Sequence, residues 1–476
     1  MLPQKFSIYV PGFCVFCAFL WLSISGSTAT TSAADRPNIF VFFTDDLSAR
    51  DVGAYGATDV RTPAFDQLAT EGLTFDRAFI ISPACAPSRA SMLTGLTPAH
   101  NGAEANHTYK RKDVDSLIKH FNALGYQTAA FGKVAHGKDA DRHGFDHVDR
   151  SRLPFEATEV WLREQDSDQP VALFFGTNSP HVPWPAVDGY DPATVTIPPF
   201  HIDTPDTRLF RARYYTDVTN ADTHFARVKK LADHYLGTAN RITVFTSDHG
   251  AQWPFGKWNL YDEGTRVPLI ITWPDHITPT TRTSAMVSWI DLLPTLIDAV
   301  DGALPTQIDG QSFTDLFTSS QSTHRDLIFT THDNDGRANV YPIRSVRDTR
   351  WKYIRNLQPS WLQSDHSYRF RKDDAGAYFW SWEEAAATSH TDSLILNRYL
   401  QRPGEELYDL VNDPDEINNL AADSRHASIL QRLQGELDTW MIDQGDDGHI
   451  SVDPWLPGDP GLLEPRSTWA PYTDSK

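Results

Sequence analysis

The sequence predicts an α/β protein: a large, mostly parallel sheet sandwiched by helices, followed by a smaller antiparallel sheet with one helix. Up to about residue 324, apolar runs typical of buried parallel strands alternate with amphipathic helical segments. Beyond that point, short strand-like runs follow one another directly. Of the 476 residues, 40% are hydrophobic and 22% are charged, as in folded chains. This balance excludes disordered, collagen-like and multi-span membrane proteins.

Apolar spacing and end signals justify each predicted element. The run at 38–44 is continuously apolar and β-rich, so we expect a strand buried on both faces. Thr62 and Pro63 begin an amphipathic segment that Gly72 ends, which is typical of a helix. By the same criteria the first region also contains helices over 117–124, 207–236 and 287–300 and strands over 127–131, 171–175, 242–246 and 269–272.

The sequence after about residue 324 has a different pattern of predicted elements, with short strands that follow one another. Its predicted elements are strands over 326–331, 340–346 and 351–354 and a helix over about 428–441. The last thirty residues are rich in Asp, Pro and Gly, which is typical of an irregular tail. We therefore divide the chain into an N-terminal segment, a main α/β domain, a smaller α+β domain and a tail, over 1–34, 35–324, 325–445 and 446–476.

The N-terminal segment predicts a secretory signal peptide. Lys5 supplies a positive start, residues 13–24 are mostly apolar, and Ser32-Ala33-Ala34 offers a cleavage site of small residues. The alternative is a short N-terminal anchor helix, but the apolar run is shorter than the roughly 20 residues that cross a bilayer. We expect a secreted or periplasmic protein with no stable membrane insertion after cleavage.

Charge narrows the possible partners. The chain has 42 Lys and Arg against 62 Asp and Glu, a formal net charge of −20. Removal of the signal peptide takes away Lys5 and no acid, which makes the net charge of the mature chain more negative by one. Such a balance argues against nucleic acid as a partner. A polyanionic substrate would have to be attracted by local positive charge.

Cleavage would also remove Cys14 and Cys17 and leave Cys85 as the one thiol. A secreted chain with a single cysteine forms no intrachain disulfide. Cys85 is then either an inert buried residue or a residue with a chemical role. The sequence around it decides between these interpretations.

Acidic pairs follow two predicted strands. Asp45-Asp46 comes directly after the first strand, and Asp248-His249 follows the strand at 242–246. Because ligands of parallel sheets bind at the carboxyl ends of the strands, we expect these side chains to meet. Their oxygen-rich set is suited to a hard divalent cation, although adjacent acidic residues are also common in loops.

The segment that contains the cysteine has a specific pattern. Cys85 begins Cys-Ala-Pro-Ser-Arg, which ends at Arg89 and runs on into Ala-Ser-Met-Leu-Thr-Gly. We expect Ser88 to cap a helix, which places Cys85 at a helix N-terminus where an anionic group is favoured.

This motif resembles the signature of the formylglycine-dependent sulfatases, a family with the alkaline-phosphatase-like fold. Further segments resemble that family over most of the chain: Pro37 to Asp46, Gly125 to Gly137, Pro180-His181-Val182-Pro183, Thr246 to Gly250, Gly256 to Pro268, Arg347 to Ile354 and Glu406 to Ala421. The resemblance implies that a maturation enzyme converts Cys85 to Cα-formylglycine, whose hydrated aldehyde attacks the sulfur of a sulfate group. It also implies one Ca²⁺, held by Asp45, Asp46, residue 85, Asp248 and His249.

The remaining roles are likewise implied by the resemblance. Arg89 would orient the hydrate, and Lys133 and Lys257 would neutralise the sulfuryl oxygens. His181 would protonate the leaving atom, and His136 would deprotonate the second hydroxyl so that sulfate is expelled.

Some positions keep a second interpretation. Two residues separate Lys133 from His136 where one is common, and His249 stands where Asn is commoner, so these histidines could have structural roles instead. His332 and Asp333 could reach the substrate or form a solvated turn. Asn106-His107-Thr108 fits a glycosylation acceptor at Asn106, although this sequon is frequent by chance.

The substrate class follows from two further similarities. The segments at 340–357 and 402–409 resemble heparan N-sulfatase (sulfamidase) and bacterial polysaccharide sulfatases, whereas the Lys133–His136 spacing is similar to that of iduronate-2-sulfatase-like enzymes. Both favour a sulfated carbohydrate. Two alternatives stay open: a phosphodiester or phosphonate monoester hydrolase of the same superfamily, and a non-catalytic carbohydrate-binding relative.

Overall fold

The computed structural model describes residues 36–166, 168–318, 323–337, 339–371, 375–450 and 452. The predicted signal peptide at 1–34 lies outside the described residues, as do residue 451 and residues 453–476 of the predicted tail. Among the described residues, no helix combines the length and the apolar character needed to cross a bilayer.

Two sheets contain all the strands of the described chain. The strands are β1 (Asn38–Thr44), β2 (Leu73–Phe79), β3 (Gln127–Gly132), β4 (His147–Asp149), β5 (Val171–Gly176), β6 (Arg241–Ser247), β7 (Arg266–Val267), β8 (Leu269–Thr272), β9 (Thr281–Ser288), β10 (Ile328–Asp335), β11 (Asn339–Arg347), β12 (Trp351–Asn356) and β13 (Glu405–Asp409).

Helices cover the sheets and connect their strands. They are α1 (Pro63–Glu71), α2 (Cys85–Thr94), α3 (Pro98–Asn101), α4 (Ile118–Ala123), α5 (Phe155–Arg163), α6 (Pro205–Leu236), α7 (Asp262–Thr265), α8 (Leu292–Asp298), α9 (Asp315–Thr318), α10 (His366–Phe370), α11 (Tyr378–Thr388), α12 (His390–Leu400) and α13 (Ala427–Gln444).

The large sheet is mostly parallel, as predicted. Its strand order is β4-β3-β5-β1-β6-β8-β2-β7, and β9 also pairs with β2. The first five strands of this order run parallel. β8 is antiparallel to both β6 and β2, whereas β9 is parallel to β2. The sheet therefore has a parallel half, which contains β1 and β6, and a mixed half.

The continuous hydrophobicity of β1 follows from burial on both faces of the sheet. Phe40 and Phe42 belong to one hydrophobic cluster, which also contains Phe225 of α6. Val41 and Phe43 alternate with them and belong to a second cluster on the opposite face. Side chains alternate between the two faces along a strand, so a strand that is covered on both faces is apolar at successive positions and lacks the alternating polar pattern.

The smaller sheet is antiparallel, in the order β10-β11-β12-β13. Helix α13 packs Leu433 and Leu437 against Val346, Tyr353 and Leu407 of this sheet. The predicted combination of a smaller antiparallel sheet and a C-terminal helix is confirmed. One helix was too few, however, because α10, α11 and α12 precede β13 and bury residues such as Trp382.

The prediction of one helix over 287–300 was wrong for the residues before Leu292. Ser288 ends β9, a single 3₁₀ turn covers Trp289–Asp291, and the α-helix begins only at Leu292. The backbone amide of Ser288 donates to the Asp291 carboxylate at 2.9 Å, which ends the strand and starts the turn. Pro294 then lies in the first helical turn, where a missing amide hydrogen costs little.

Candidate active site

The two acidic pairs meet at the carboxyl edge of the large sheet. β1 and β6 are parallel neighbours with Thr44 opposite Ser247, so the residues that follow them leave the sheet side by side. The amide of Asp46 donates to Asp248 Oδ1 at 3.1 Å. Asp45, Asp46, Asp248 and His249 are all buried. The structure therefore brings together the residues that the sequence placed at the ends of two strands.

Cys85 is the first residue of α2, and Ala84 precedes the helix. Its Sγ lies 3.3 Å from His249 Nε2, 3.6 Å from Asp45 Oδ1 and 3.6 Å from Lys133 Nζ. The expectation that Ser88 caps the helix was wrong, because Ser88 lies within it. Its hydroxyl instead donates to the carbonyl of Asp248 at 2.6 Å, which ties α2 to the end of β6.

Three cationic side chains approach the carboxylates. Arg89 is fully buried, and its Nε donates to Asp248 Oδ2 at 2.9 Å while its Nη2 lies 3.3 Å from Asp45 Oδ1. Lys133 Nζ bonds to Asp45, and Lys257 Nζ bonds to Asp46 at 2.9 and 3.1 Å. Three carboxylates thus face three cations in a desolvated site.

These contacts control the protonation of the carboxylates. Burial favours the neutral form of Asp45, but Lys133, together with other nearby cationic groups, holds its pKa well below the ordinary value. Burial also favours the neutral form of Asp46, but the positive charge of Lys257 and the neighbouring histidines has the larger effect and lowers the pKa of Asp46. Both carboxylates are therefore ionised and able to act as ligands.

The carboxylates of Asp45, Asp46 and Asp248 are oxygen donors that suit a hard divalent cation, and residue 85 adds oxygen donors only when it is the formylglycine hydrate instead of a thiol. Ligand atoms of Asp45, Cys85, Asp248 and His249 all lie within 4.8 Å of one another, and so do those of a second set in which Asp46 and His181 replace Asp248 and His249. His249 Nδ1 lies 3.0 Å from the carbonyl of Gly250, which favours a proton on Nδ1 and leaves the Nε2 lone pair facing the cluster. Mutual repulsion between the carboxylates would be relieved by Ca²⁺.

Both predicted catalytic histidines border the same site. His181 follows β5, and its Nδ1 lies 2.6 Å from the carbonyl of Val182, so Nδ1 carries the proton. Burial, assisted by Lys257, lowers the pKa of His181 to about 4. His136 follows β3, and burial together with Lys133 lowers its pKa to about 3. Both imidazoles are therefore neutral near pH 7.

A cavity of about 370 Å³ opens onto this cluster. Five of the predicted site residues line it: Cys85, Lys133, His136, His181 and Lys257. It is also lined by residues that sequence reasoning did not select: Asn106, His107, Val182, Gln252, Trp258, Asp335, His366, Ser367 and Phe370. Val182 and Trp258 lie in segments that resemble the family but were given no role, and Asn106 and His107 stood in a pattern that pointed to glycosylation.

The structure separates the interpretations left open at three positions. Asn106 is buried, its Oδ1 accepts from the Ala86 amide at 3.0 Å, and its Nδ2 donates to Asp335 at 2.8 Å, so it offers no accessible glycosylation acceptor. His332 and Asp333 are buried in β10 and do not line the cavity. Neither expectation for them holds, and Asp335 of the same strand reaches the site instead.

Comparison with known proteins identifies the family. The sulfatase family model matches residues 37–159 and 151–303, more than half of the chain. The protein belongs to the sulfatase family. A second family model, for the C-terminal region of N-sulphoglucosamine sulphohydrolase, matches residues 249–373 of this sulfatase. The predicted enzyme class, a hydrolase of sulfuric esters, is confirmed.

Two relatives span nearly the whole sulfatase. An ulvan-active sulfatase of Formosa agariphila is 30% identical over 456 residues, which cover 90% of this chain and 87% of the relative. The N-sulphoglucosamine sulphohydrolase of Homo sapiens is 27% identical over 497 residues, which cover 90% of this chain and 94% of the relative.

Solved structures share the fold. A protein in complex with its substrate, D-glucosamine-2-N,6-O-disulfate, has a TM-score of 0.65 at 19% identity and covers 87% of this sulfatase and 99% of that chain. The phosphonate monoester hydrolase of Agrobacterium radiobacter has a TM-score of 0.66 at 18% identity, with 86% and 96% covered. These likenesses establish the fold, which sulfatases and phosphonate hydrolases have in common.

Proposed function

We propose that this sulfatase removes sulfate from a sulfated carbohydrate, with a formylglycine made from Cys85 and one bound Ca²⁺. The observation that carries the proposal is the burial of Cys85 at the start of α2, within reach of Asp45, His249 and Lys133. The hydrated aldehyde would supply the nucleophile, and the cation would supply Lewis-acid stabilisation of a sulfate oxygen.

The environment of Cys85 supports modification rather than thiolate chemistry. Burial raises the pKa of the Cys85 thiol, and nearby Asp45 and Asp248 raise it further. Lys133 and Lys257 act to lower this pKa, but their effect is smaller than the combined increase. Reactive cysteines have the opposite property, a depressed pKa in an exposed electropositive site. The unmodified residue would be a poor nucleophile. We propose that a maturation enzyme acts on the chain during export, directed by the signal peptide at 1–34.

The cationic residues would bind the sulfate group. Lys133 and Lys257 line the cavity and pair with Asp45 and Asp46, the same carboxylates that would hold Ca²⁺. A cation on those carboxylates leaves the two ammonium groups available for sulfate oxygens. Arg89 is held by Asp248 and Asp45 and would fix the position of residue 85.

The two neutral histidines would move protons. Neutral His181 holds its hydrogen on Nδ1, so it would first take up a proton at Nε2 when the anionic sulfate group binds beside it, and would then donate that proton to the leaving oxygen or nitrogen. His136 would accept a proton from the hydrate so that the aldehyde is restored. Asp248 would accept the first proton from the attacking hydroxyl. His136 and His181 line the cavity, and Asp248 belongs to the cluster of possible metal ligands that also contains the cavity residue Cys85.

A sugar fits the remaining walls of the cavity. Trp258, His366 and Phe370 line it with flat rings, which are suited to the apolar faces of a pyranose. The relative that is 30% identical is described as an ulvan-active sulfatase, and we take an O-sulfated polysaccharide as the first candidate substrate. N-sulfated glucosamine is the second candidate. It is favoured because the match to the N-sulphoglucosamine sulphohydrolase model covers all three of these wall residues.

Inorganic sulfate release by the secreted, matured protein tests the proposal. The substrates would be O-sulfated fragments of uronic-acid-containing polysaccharide, N-sulfated glucosamine oligosaccharides and a phosphonate monoester. We expect turnover of a sulfated sugar that Cys85→Ala and Asp248→Asn abolish, whereas Asp113→Asn, at a side chain 75% exposed, leaves it unchanged.

The substrate pattern separates the candidates. Release from O-sulfated fragments alone supports the first candidate, and release from N-sulfated oligosaccharides alone supports the second. Turnover of the phosphonate ester in preference to every sulfate ester would overturn the proposal. Wild-type rates in Cys85→Ala would overturn the mechanism.

A further inference from the structure

A chain of side chains leads from a buried carboxylate in the smaller sheet to the proposed base. Asp335, the last residue of β10, lies with its Oδ1 3.1 Å from His107 Nε2. His107 Nδ1 lies in turn 2.8 Å from His136 Nε2. Nδ1 of His136 is buried and has no hydrogen-bond partner within the described chain. The series Asp335–His107–His136 therefore ends in one free nitrogen.

Asp335 is held as an ionised carboxylate. Burial favours its neutral form, but the hydrogen bond from His107 and the neighbouring charges of His366 and Lys257 keep its pKa far below the ordinary value. Its Oδ2 accepts from Asn106 Nδ2 at 2.8 Å and from Trp258 Nε1 at 2.9 Å. Trp258 Nε1 can only donate, and the Ala86 amide that donates to Asn106 Oδ1 keeps the Asn106 NH₂ directed at Asp335, so these two donors fix the orientation of the carboxylate.

The ionised carboxylate of Asp335 determines which ring nitrogen carries the hydrogen, first in His107 and then in His136. A lone pair on His107 Nε2 would repel the ionised carboxylate oxygen 3.1 Å away, so this distance favours neutral His107 with its hydrogen on Nε2 and a lone pair at Nδ1. His136 Nε2 must donate to this lone pair. The hydrogen of neutral His136 is thereby held on Nε2, and its Nδ1 is left as an unprotonated base.

We propose that Asp335 and His107 are positioning residues that select the tautomer of His136 able to accept a proton. This inference rests on the proposed function, in which His136 is the base. His107 is suited to the task because its side chain is 64% exposed, whereas Asp335 is only 5% exposed. The pair links a rigid buried acceptor to a ring that solvent can reach.

Asp335→Asn is the decisive variant, because it keeps the shape and reverses the polarity. Asn106 and Trp258 both donate to Oδ2, so the amide oxygen would stay there and the amide NH₂ would face His107. His107 would then accept at Nε2 and donate from Nδ1, which pushes the hydrogen of His136 onto its Nδ1. We expect kcat to fall by about tenfold to a thousandfold with little change in KM.

His107→Ala tests the same link at an exposed position, where folding is not at risk. We expect a similar fall in kcat, partly restored by added imidazole, and no further loss in the double variant with Asp335→Asn. His100→Ala is the matched control, since His100 is also a partly exposed histidine paired with an aspartate, Asp309, outside the cavity. We expect it to keep the wild-type rate.

The pH profile gives a second activity readout. The hydrogen bond to Asp335 raises the pKa of His107, while burial, Lys257 and Lys133 oppose the shift, and neutral His136 is its remaining ring neighbour. Protonated His107 donates from Nδ1 and so removes the free lone pair of His136. The kcat of the wild type should therefore fall as pH decreases through the raised pKa of His107, and His107→Ala should lose this limb.

Ring ¹⁵N NMR of histidine-labelled protein reads the tautomer without turnover, in the chain that still carries Cys85. We expect His136 to be Nε2-protonated in the wild type and Nδ1-protonated in Asp335→Asn. An unchanged tautomer, or wild-type kcat in both variants, would overturn the inference. If the wild type released no sulfate, the proposed function would fail, whereas the NMR result would still decide the tautomer.

Discussion

Individual residues in this site act through charge balance in a buried volume. Asp45, Asp46 and Asp248 carry three negative charges, and Arg89, Lys133 and Lys257 carry three positive charges within bonding distance of them. Loss of one partner from such a set leaves an uncompensated buried charge, which is far costlier than breaking a surface pair. Function and stability are therefore coupled at these positions.

The variant Arg89→Lys should distinguish the effect of the planar guanidinium group from the effect of its positive charge. Lysine keeps the positive charge but cannot reach Asp248 and Asp45 with a planar fork. With charge-assisted hydrogen bonds worth about 1.5–3 kcal/mol each, we expect the free energy of unfolding to fall by about 2–3 kcal/mol. Sulfate release should fall by at least about a hundredfold. Urea unfolding and sulfate release measure the two effects.

The control for that change is Arg163→Lys, because Arg163 is 62% exposed and lies 3.9 Å from Glu159. It should change the unfolding free energy by less than about 0.5 kcal/mol. An Arg89→Lys enzyme with wild-type turnover would show that the fork is not needed.

At the scale of elements, the parallel half of the sheet and α6 place the acidic edge. Phe225 of α6 lies against Phe42, Phe65 and Phe40, with ring centroids 5.3, 5.4 and 6.2 Å away. The predicted strand at 38–44 and the long helix at 207–236 are present with nearly the predicted bounds. The helix predicted over 287–300 was wrong in its first residues because the apolar end of β9 and the apolar helix α8 follow each other with no polar segment long enough to mark the boundary.

Phe225→Ala should destabilise the protein by about 3–5 kcal/mol, because it removes a buried ring and leaves a cavity between α6 and β1. Val160→Ala on α5, at a residue 48% exposed, is the control and should cost less than about 1 kcal/mol. Thermal or urea unfolding measures both. Equal stability of the two variants would mean that α6 does not pack as described.

At the scale of the whole molecule, residues from both sheets contribute to the candidate active site. The residues that follow β1 and β6 of the large sheet supply the carboxylates, and α2 supplies Cys85. The smaller sheet supplies Asp335 through β10, and α10 adds His366 and Phe370 to the cavity. A ligand that binds only the folded arrangement stabilises the entire fold by mass action.

Calcium should therefore raise the melting temperature. At a concentration 100 times its Kd, one bound ion adds about 2.7 kcal/mol to the free energy of unfolding. We expect a rise in Tm with Ca²⁺ that a chelator reverses and that Asp46→Asn removes, whereas Asp113→Asn retains it. Differential scanning calorimetry with and without Ca²⁺ measures this. A wild-type Tm independent of Ca²⁺ would contradict the proposed metal site.

The sequence by itself determined the fold class, the family and the placing of Asp45, Asp46, Asp248 and His249 at strand ends, because buried strands and local motifs are encoded by neighbouring residues. It also singled out Cys85 and Arg89. The tertiary structure alone decided that Asp335 and His107 reach the cavity while His332 and Asp333 do not. That outcome depends on how β10 packs against the loop that carries Asn106, and such long-range contacts leave no spacing pattern in a single sequence.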